Sequence, residues 1–492
     1  MTPNTTRRID HVIVLMLENR SFDHLFGFFA PAPGQTVENL RGAHPALSNL
    51  LDPSQPKSAT NPDFPARTGA PFAVHDKEGP SHSFNAVCVQ LCNDNSGPSA
   101  TNPVRNNGFV RSYKDDLLRR THRVDAGPIQ EVMESFSPED LPTINALARN
   151  FCLCDHWSCE VPGPTMPNRM FIHAATSEGY VHNAFKRVFT SKTIYDLVEE
   201  AGLTWATYFH DLNEVLQFQH LARTPDHFRR FEDRWATDIA QGKLPNYSFI
   251  LPRFNNRPGS PANSQHAPED VRFGEHLIAD VYDALAAHPA VWNRSVLIVT
   301  YDEHGGFYDH VAPGAAPNPD GINSPNADDQ ANFRVPPFAF DRIGLRVPAI
   351  IASPWIQKGS VENRSLQHTS VIKTVREIFG LGGPLNHRDS SAASFADLFQ
   401  QLAAPRPATD MPMTLPRPSL PNAVQSFAAG VPVNPEDEPL DSLTEEWLEG
   451  LIALTGGATT LNALGGPSPA LPATQGEAAD LIDNLLKTSF GI

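Results

Sequence analysis

An α/β fold with a mostly parallel central sheet flanked by helices is what this sequence predicts. Three observations carry the prediction. Short apolar, β-branched runs recur along the chain: Val12–Leu17, Phe151–Trp157, Thr204–Phe209, Tyr247–Leu251, Val296–Thr300 and Pro348–Ala352. Helical patterns separate them: Leu141–Arg149, Asn168–Ala175, Thr193–Ala201, Pro268–Ala287 and Thr369–Phe379. Alternation of this kind is the signature of βαβ units. Finally, Glu18, His210 and Asp302 each follow one of the apolar runs closely, and strand ends are where open α/β sheets place their ligands.

The elements read in order as follows. Val12–Leu17 has no polar residue, as a strand buried on both faces requires, and it runs straight into Glu18-Asn19. Residues 31–140 are rich in Pro, Asn, Ser and Gly, with little periodicity before Gln130. A structureless stretch this long inside an enzyme reads as a loop-rich cap over the site. Phe64, Phe72, Phe84 and Phe109 within it are candidates for an apolar lining. At Gly163-Pro164-Thr165-Met166-Pro167 a turn opens a helix, with Thr165 expected as the cap and Pro167 in the first turn. Residues 312–346 read as a second loop excursion, and Gly380 as the stop of the Thr369 helix. The expected organisation is a catalytic domain over 1–400, containing the cap, followed over 401–492 by a Pro-rich arm and a helical tail. That tail has patches at Ser442–Leu454 and Glu477–Lys487.

Composition bounds the function. With 40% hydrophobic and 19% charged residues the chain of 492 fits a globular enzyme, and its 46 Pro and 31 Gly imply long shaped loops. A net charge of −17 argues against nonspecific nucleic-acid binding. No apolar run approaches 18 residues and no signal peptide is visible. The expectation is a cytoplasmic protein as written, secreted or periplasmic if an export signal has been removed, with at most peripheral membrane contact. Cys88, Cys92, Cys152, Cys154 and Cys159 fit no strong zinc pattern and read as scattered buried thiols.

Three strings carry chemistry: Glu18-Asn19-Arg20-Ser21-Phe22-Asp23, Gly163 to Arg169, and Tyr301-Asp302-Glu303-His304-Gly305-Gly306. Glu18, Asn19, Asp302 and Glu303 are hard oxygen donors at two strand ends, which suits one divalent cation, Ca, Mg or Mn rather than Zn. Thr165 is a poor nucleophile unless a metal helps remove its proton. Asn168 and Arg169 are candidate phosphate contacts, with a scaffold role as the alternative. A phosphoester site also needs donors around the phosphoryl oxygens and an acid at the leaving oxygen. His82, His210 and His266 are the leading candidates, and His304 and His368 the weaker ones.

Taken together, these strings make the chain resemble the phosphoesterase family of bacterial and plant phosphatidylcholine-type phospholipases C. That family also holds a respiratory-burst-inhibiting bacterial acid phosphatase and belongs to the alkaline-phosphatase-like superfamily. The resemblance spans roughly residues 8–400 in motif order. It implies an alkaline-phosphatase-like sandwich and a single metal held by Glu18, Asn19, Thr165, Asp302 and Glu303. It further implies that Thr165 takes the phosphoryl group covalently while His82, His210 and His266 surround it. Asp211 and Glu269 stand where relatives carry further histidines, a change that suits a monoanionic diester better than a dianionic monoester. The expected substrate is a phospholipid, with small phosphate monoesters as the alternative. A non-catalytic binding protein on the same fold is the reading from a different class.

Overall fold

Strand β1, His11–Leu17, buried from Val12 onward, lies at the middle of an eight-stranded sheet. The other strands are β2 (Cys152–Cys154), β3 (Trp205–Phe209), β4 (Phe228–Arg230), β5 (Tyr247–Leu251), β6 (Ser295–Tyr301), β7 (Ala349–Ala352) and β8 (Ser360–Glu362), in the order β8-β2-β7-β6-β1-β5-β3-β4. In this computed structural model the described residues are 8–42, 47–76, 78–95, 97–122, 129–183, 189–257, 260–324, 337–421 and 474–490.

The sheet is mostly parallel, as the alternating pattern implies. β1 pairs in parallel with β5 and β6, and β3 with β5 and β4. β7 runs against both its neighbours, β6 and β2. Ala349–Ala352 is apolar and fully buried like the parallel strands, so nothing in its composition marks the reversal. The run Phe151–Trp157 is not one strand: β2 ends at Cys154, and Trp157–Ser158 pairs with Leu366–Gln367 in a separate two-stranded sheet. Asp155 breaks it, its carboxylate accepting the Glu38 amide at 2.8 Å.

The registers decide where the chemistry sits. Leu17 pairs with Tyr301 across β1 and β6, so Glu18 and Asp302 emerge side by side, about 4.8 Å apart along the hydrogen-bonding direction. Leu251 pairs with Phe209 and Phe209 with Arg230, so His210 leaves the same edge two strands over, about 10 Å from β1. Most helices match their sequence patterns within three residues: Pro142–Asn150, Thr165–Ala174, Ile194–Glu200, Val271–Ala286 and Thr369–Phe379, with Gly380 at φ 65° closing the last.

The cap differs from the expectation of irregular loop. Among its described residues are the helices Phe84–Cys92 and Phe109–Thr121 and the short antiparallel pair Ser48–Leu50 and Asp63–Pro65. Phe64 and Phe109 are buried with Val87, Leu91, Tyr113 and Met133 in a core built mostly from the cap, which Tyr308 and Leu345 complete. Phe84 is buried with Phe171 and Phe338 in another cluster, and Phe72 stacks on Phe136 and under Arg272. These rings therefore fold the cap rather than line an apolar surface. Residues 312–324 and 337–346 carry no helix or strand, in keeping with a loop excursion. The arm over residues 412–419 crosses two helices, where Tyr282, Thr143 and Arg272 bond to the carbonyls of Pro412, Pro416 and Ser419. Ser442–Leu454 lies outside the described residues. The last patch is a helix at Gln475–Leu485 that buries Ala478, Ile482 and Leu485 against the main core. All five cysteines are free and buried. Among the described residues no helix is long and apolar enough to cross a membrane.

Candidate active site

Thr165 is the first residue of its helix, and Pro164, not Thr165, occupies the cap position with no side-chain capping bond. Its hydroxyl is thereby free for other work, and it donates to Asn19 Oδ1 at 3.3 Å. The turn is held by Asn168, whose Oδ1 accepts the amides of Glu160 and Val161 while its Nδ2 donates to the carbonyls of Val161, Gly163 and Pro164. Every polar atom of that side chain is engaged within the turn. Asn168 thus takes the scaffold role, one of the two that its position allowed. The Met166 amide is taken by Asn183 and Pro167 has none, so few helix-start amides remain for an anion.

Asn19 carries the next link. It adopts φ 56°, its amide donates to Asp302 Oδ1 at 3.0 Å, and its Nδ2 donates to His82 Nε2 at 3.2 Å. Gly305, at φ 67°, is required opposite it, since a Cβ there would stand 2.1 Å from the Asn19 carbonyl oxygen. Asp302 Oδ1 also accepts the Glu303 amide. Thr165, Asn19, Asp302, Glu303 and His82 thus form one connected set.

Arg169 is also moved from substrate to scaffold. It is wholly buried and sits among Glu18, Glu214 and Asp302 at 3.3, 3.2 and 3.1 Å. Burial opposes its charge, but Asp302, Glu214 and Glu18 more than offset that and hold the guanidinium protonated. Glu214 and its second partner His173 were missed from the sequence, since each stands just outside the string that drew attention and only the fold brings them together. His304 is buried too, with Nε2 donating to Gln90 Oε1 at 2.8 Å and Nδ1 3.2 Å from Glu303 Oε2. Burial pushes it down to about 3. Its bond to Gln90 ties the strand-end motif to the cap helix. His368 donates Nε2 to the Asp302 carbonyl and accepts from Trp157 at Nδ1, which fixes the strand end. Gln90, another residue missed from the sequence, also donates to the Ser81 carbonyl and so ties the cap helix to both His304 and the His82 loop.

His82 and His266 are the more accessible members. The His82 side chain is 17% exposed and lies 3.9 Å from Glu303, and its Nδ1 donates to the Pro80 carbonyl. The His266 ring lies across that of His82 at 5.6 Å. Desolvation, then the charges of His82 and Arg20, push His266 down to about 3. His210 bonds Glu232 through Nδ1 at 2.8 Å. Asp211 does not face a substrate: its carboxylate accepts the amides of Leu212, Phe254 and Asn255 and anchors that loop. Glu269 accepts from Asn256.

The donors Asn19, Thr165, Asp302 and Glu303 fit a hard divalent cation. The telling atom is Glu303 Oε1, which is buried with no hydrogen-bond partner among the described residues. Burial pushes the Glu303 carboxyl up to about 8, with His82 pulling against this and Asp302 adding to it. Asp23, Asp309 and His310 form a tighter acidic cluster. Arg346 already fills it, bonding Asp23 Oδ1 at 3.0 Å and Asp309 Oδ1 at 2.9 Å. That cluster is an ion-pair network.

Comparison with known proteins shows the family. The model of the phosphoesterase family matches residues 9–382. Non-specific phospholipase C6 of Arabidopsis thaliana is 36% identical over 83% of this chain and 75% of its own length. Non-specific phospholipase C3 of the same plant is 33% identical over 91% and 83%. Phospholipase C B of Mycobacterium tuberculosis is 27% identical over 87% and 85%. A solved protein of the alkaline phosphatase superfamily from Vibrio parahaemolyticus superposes at a TM-score of 0.33, with 10% identity over 51% of this chain and 64% of that one, too shallow a likeness to bear on function.

Proposed function

The chain belongs to the phosphoesterase family and hydrolyses phosphoester bonds, and from that premise we propose a metal-dependent enzyme of the phospholipase C type. It cleaves the glycerol side of a phospholipid phosphodiester through a covalent phosphothreonine. The observation that carries the proposal is the Thr165 hydroxyl, unused by its own helix and bonded to Asn19 within the acidic set. A divalent cation held by Asn19, Thr165, Asp302 and Glu303, with Glu18 beside them, would supply acidity to the hydroxyl and neutralise charge on the phosphoryl oxygens.

The protein's own groups divide the remaining work. Thr165 Oγ1, entering as the alkoxide, attacks phosphorus, and the bond to the glycerol oxygen breaks. His266, at the accessible side of the site, donates to the phosphoryl oxygens, and His82 joins it as the imidazolium, its Nε2 giving up the Asn19 bond that it accepts in this structure. His210 gives a proton to the departing alkoxide, releasing diacylglycerol. Water then attacks phosphorus, returns that proton to His210 and frees the phosphorylated headgroup. Arg169 binds no substrate in this scheme; it holds Glu18 and Asp302 against their mutual repulsion.

The test is a comparison of kcat/KM on a short-chain phosphatidylcholine and on a small phosphate monoester, each with added Ca, Mg or Mn. Diacylglycerol and a preference for the diester are expected. Preference for the monoester with no diacylglycerol would replace the phospholipase reading by that of an acid phosphatase. Chelation should abolish turnover, and a divalent ion should restore it.

A further inference from the structure

Three consecutive residues hold His210. Phe209 pairs with Arg230 across β3 and β4, which brings the start of the helix Phe231–Ala240 alongside the residue after Phe209. Arg230 Nη1 donates to the His210 carbonyl at 2.7 Å. The Phe231 ring packs against the imidazole at 4.6 Å between centroids. Glu232 Oε1 accepts from Nδ1 at 2.8 Å. Backbone, ring face and one ring nitrogen are thereby all fixed. The other nitrogen, Nε2, is buried and has no hydrogen-bond partner among the described residues.

Glu232 is itself restrained. Arg253 Nη2 donates to the same Oε1 at 2.6 Å, although the Glu232 side chain is 50% exposed. Burial pushes its carboxyl up, but the His210 hydrogen bond and the charges of His210 and Arg253 more than offset this and hold it at about 2. It is a carboxylate at any working pH. A carboxylate on Nδ1–H fixes the tautomer and leaves Nε2 as the nitrogen that exchanges a proton.

We infer that Glu232, clamped by Arg253, is a positioning residue for His210 and aims its Nε2 at the leaving oxygen. The inference rests on the acid role proposed above for His210. As the bond from phosphorus to the glycerol oxygen breaks, that oxygen keeps the electron pair and takes the proton from Nε2. The ring is left neutral with Nδ1–H still on Glu232. In the second half-reaction the attacking water gives a proton to Nε2, and Thr165 leaves as the alkoxide, ready for the next cycle. Glu232 is unprotonated throughout.

The experiment compares two diesters that share phosphorylcholine but differ in leaving group: a short-chain phosphatidylcholine, which expels a basic alkoxide, and p-nitrophenyl phosphorylcholine, which expels a phenolate needing little protonation. Glu232→Ala should lower kcat/KM about 10- to 100-fold on the first and about threefold or less on the second, where little proton transfer is needed. The near-isosteric Glu232→Gln, which keeps an acceptor but not the charge, should fall between wild type and Ala on the first ester only. Losses of equal size on both esters, or no loss on either, would overturn the inference. His210→Gln separates the two claims. If it discriminates between the esters and the Glu232 variants do not, the positioning role fails alone. If it treats them alike, the acid role fails and the positioning role with it. Thr165→Ala should abolish both activities, so failure of the nucleophile reading is distinguishable from either.

Discussion

Thr165 begins its helix yet serves no backbone amide there, and that small displacement from cap to first position frees its hydroxyl for Asn19. Opposite Asn19 the chain has no room for a side chain. Gly305→Ala would set a Cβ 2.1 Å from the Asn19 carbonyl oxygen at a φ of 67°. Overpacking and left-handed strain should together cost about 2–4 kcal/mol, and activity should fall with them because Asn19 must move. Urea denaturation alongside turnover tests this, and a fully active, unchanged Gly305→Ala would show that the contact relaxes freely. A second residue-scale prediction concerns His310. Burial lowers its pKa, but the bond and charge of Asp23, with Asp309, raise it to about 9. A folded value above the unfolded one, about 6.5, gives stability that is complete below about pH 6.5 and lost as pH rises through 9. The loss should reach about 3 kcal/mol, and His310→Gln should remove it. Urea midpoints from pH 6 to 10 provide the measurement, with identical pH slopes in the two proteins as the contrary result.

At the scale of elements, Gln90 ties the cap helix to both the strand-end motif and the His82 loop. Gln90 reaches the Ser81 carbonyl with its nitrogen and His304 with its oxygen. Gln90→Leu should leave a buried histidine nitrogen unpartnered, costing about 1–3 kcal/mol, and loosen the loop that presents His82. KM should then rise more than kcat falls; kinetics with thermal unfolding would check it, and unchanged KM would detach the cap from the site. What was legible follows from the same physics. β1, β5 and β6 were readable because strands buried on both faces are continuous apolar runs. The antiparallel sense of β7 was not, because direction leaves no mark on composition. Edge strand β4, Phe228–Arg230, carries two arginines and so has no apolar run. The cap helices went unseen because Phe84–Cys92 is apolar on most sides, and Phe109–Thr121 starts at Gly108 with no side-chain cap. In the site, strand-end acids and the Pro-Gly-Pro turn announced themselves. The division between contact and brace did not: Arg169 and His304 look like ligands until their burial among Glu18, Glu214, Asp302 and Glu303 is known.

Across the whole molecule, distant segments meet at one sheet edge. Glu18 and Asp302 are neighbours by register, the cap delivers His82, and the helix Gln475–Leu485 reaches the far side, where Asp483 pairs with Arg230 at 2.7 Å and Arg257 at 2.8 Å. The hard oxygen donors gathered at that edge, with Glu303 Oε1 buried and unpartnered among the described residues, predict one bound divalent ion, with Asp302→Asn and Glu303→Gln each losing it in elemental analysis. Full occupancy in both variants would remove these residues from the ligand set. The central claim is that the reaction runs through the Thr165 hydroxyl, and turnover of Thr165→Ala on phosphatidylcholine tests it most directly. The account predicts a loss of more than about a thousandfold, roughly 4 kcal/mol of barrier, with thermal stability within a few degrees of wild type because no cap is lost. Activity retained within about tenfold would contradict it.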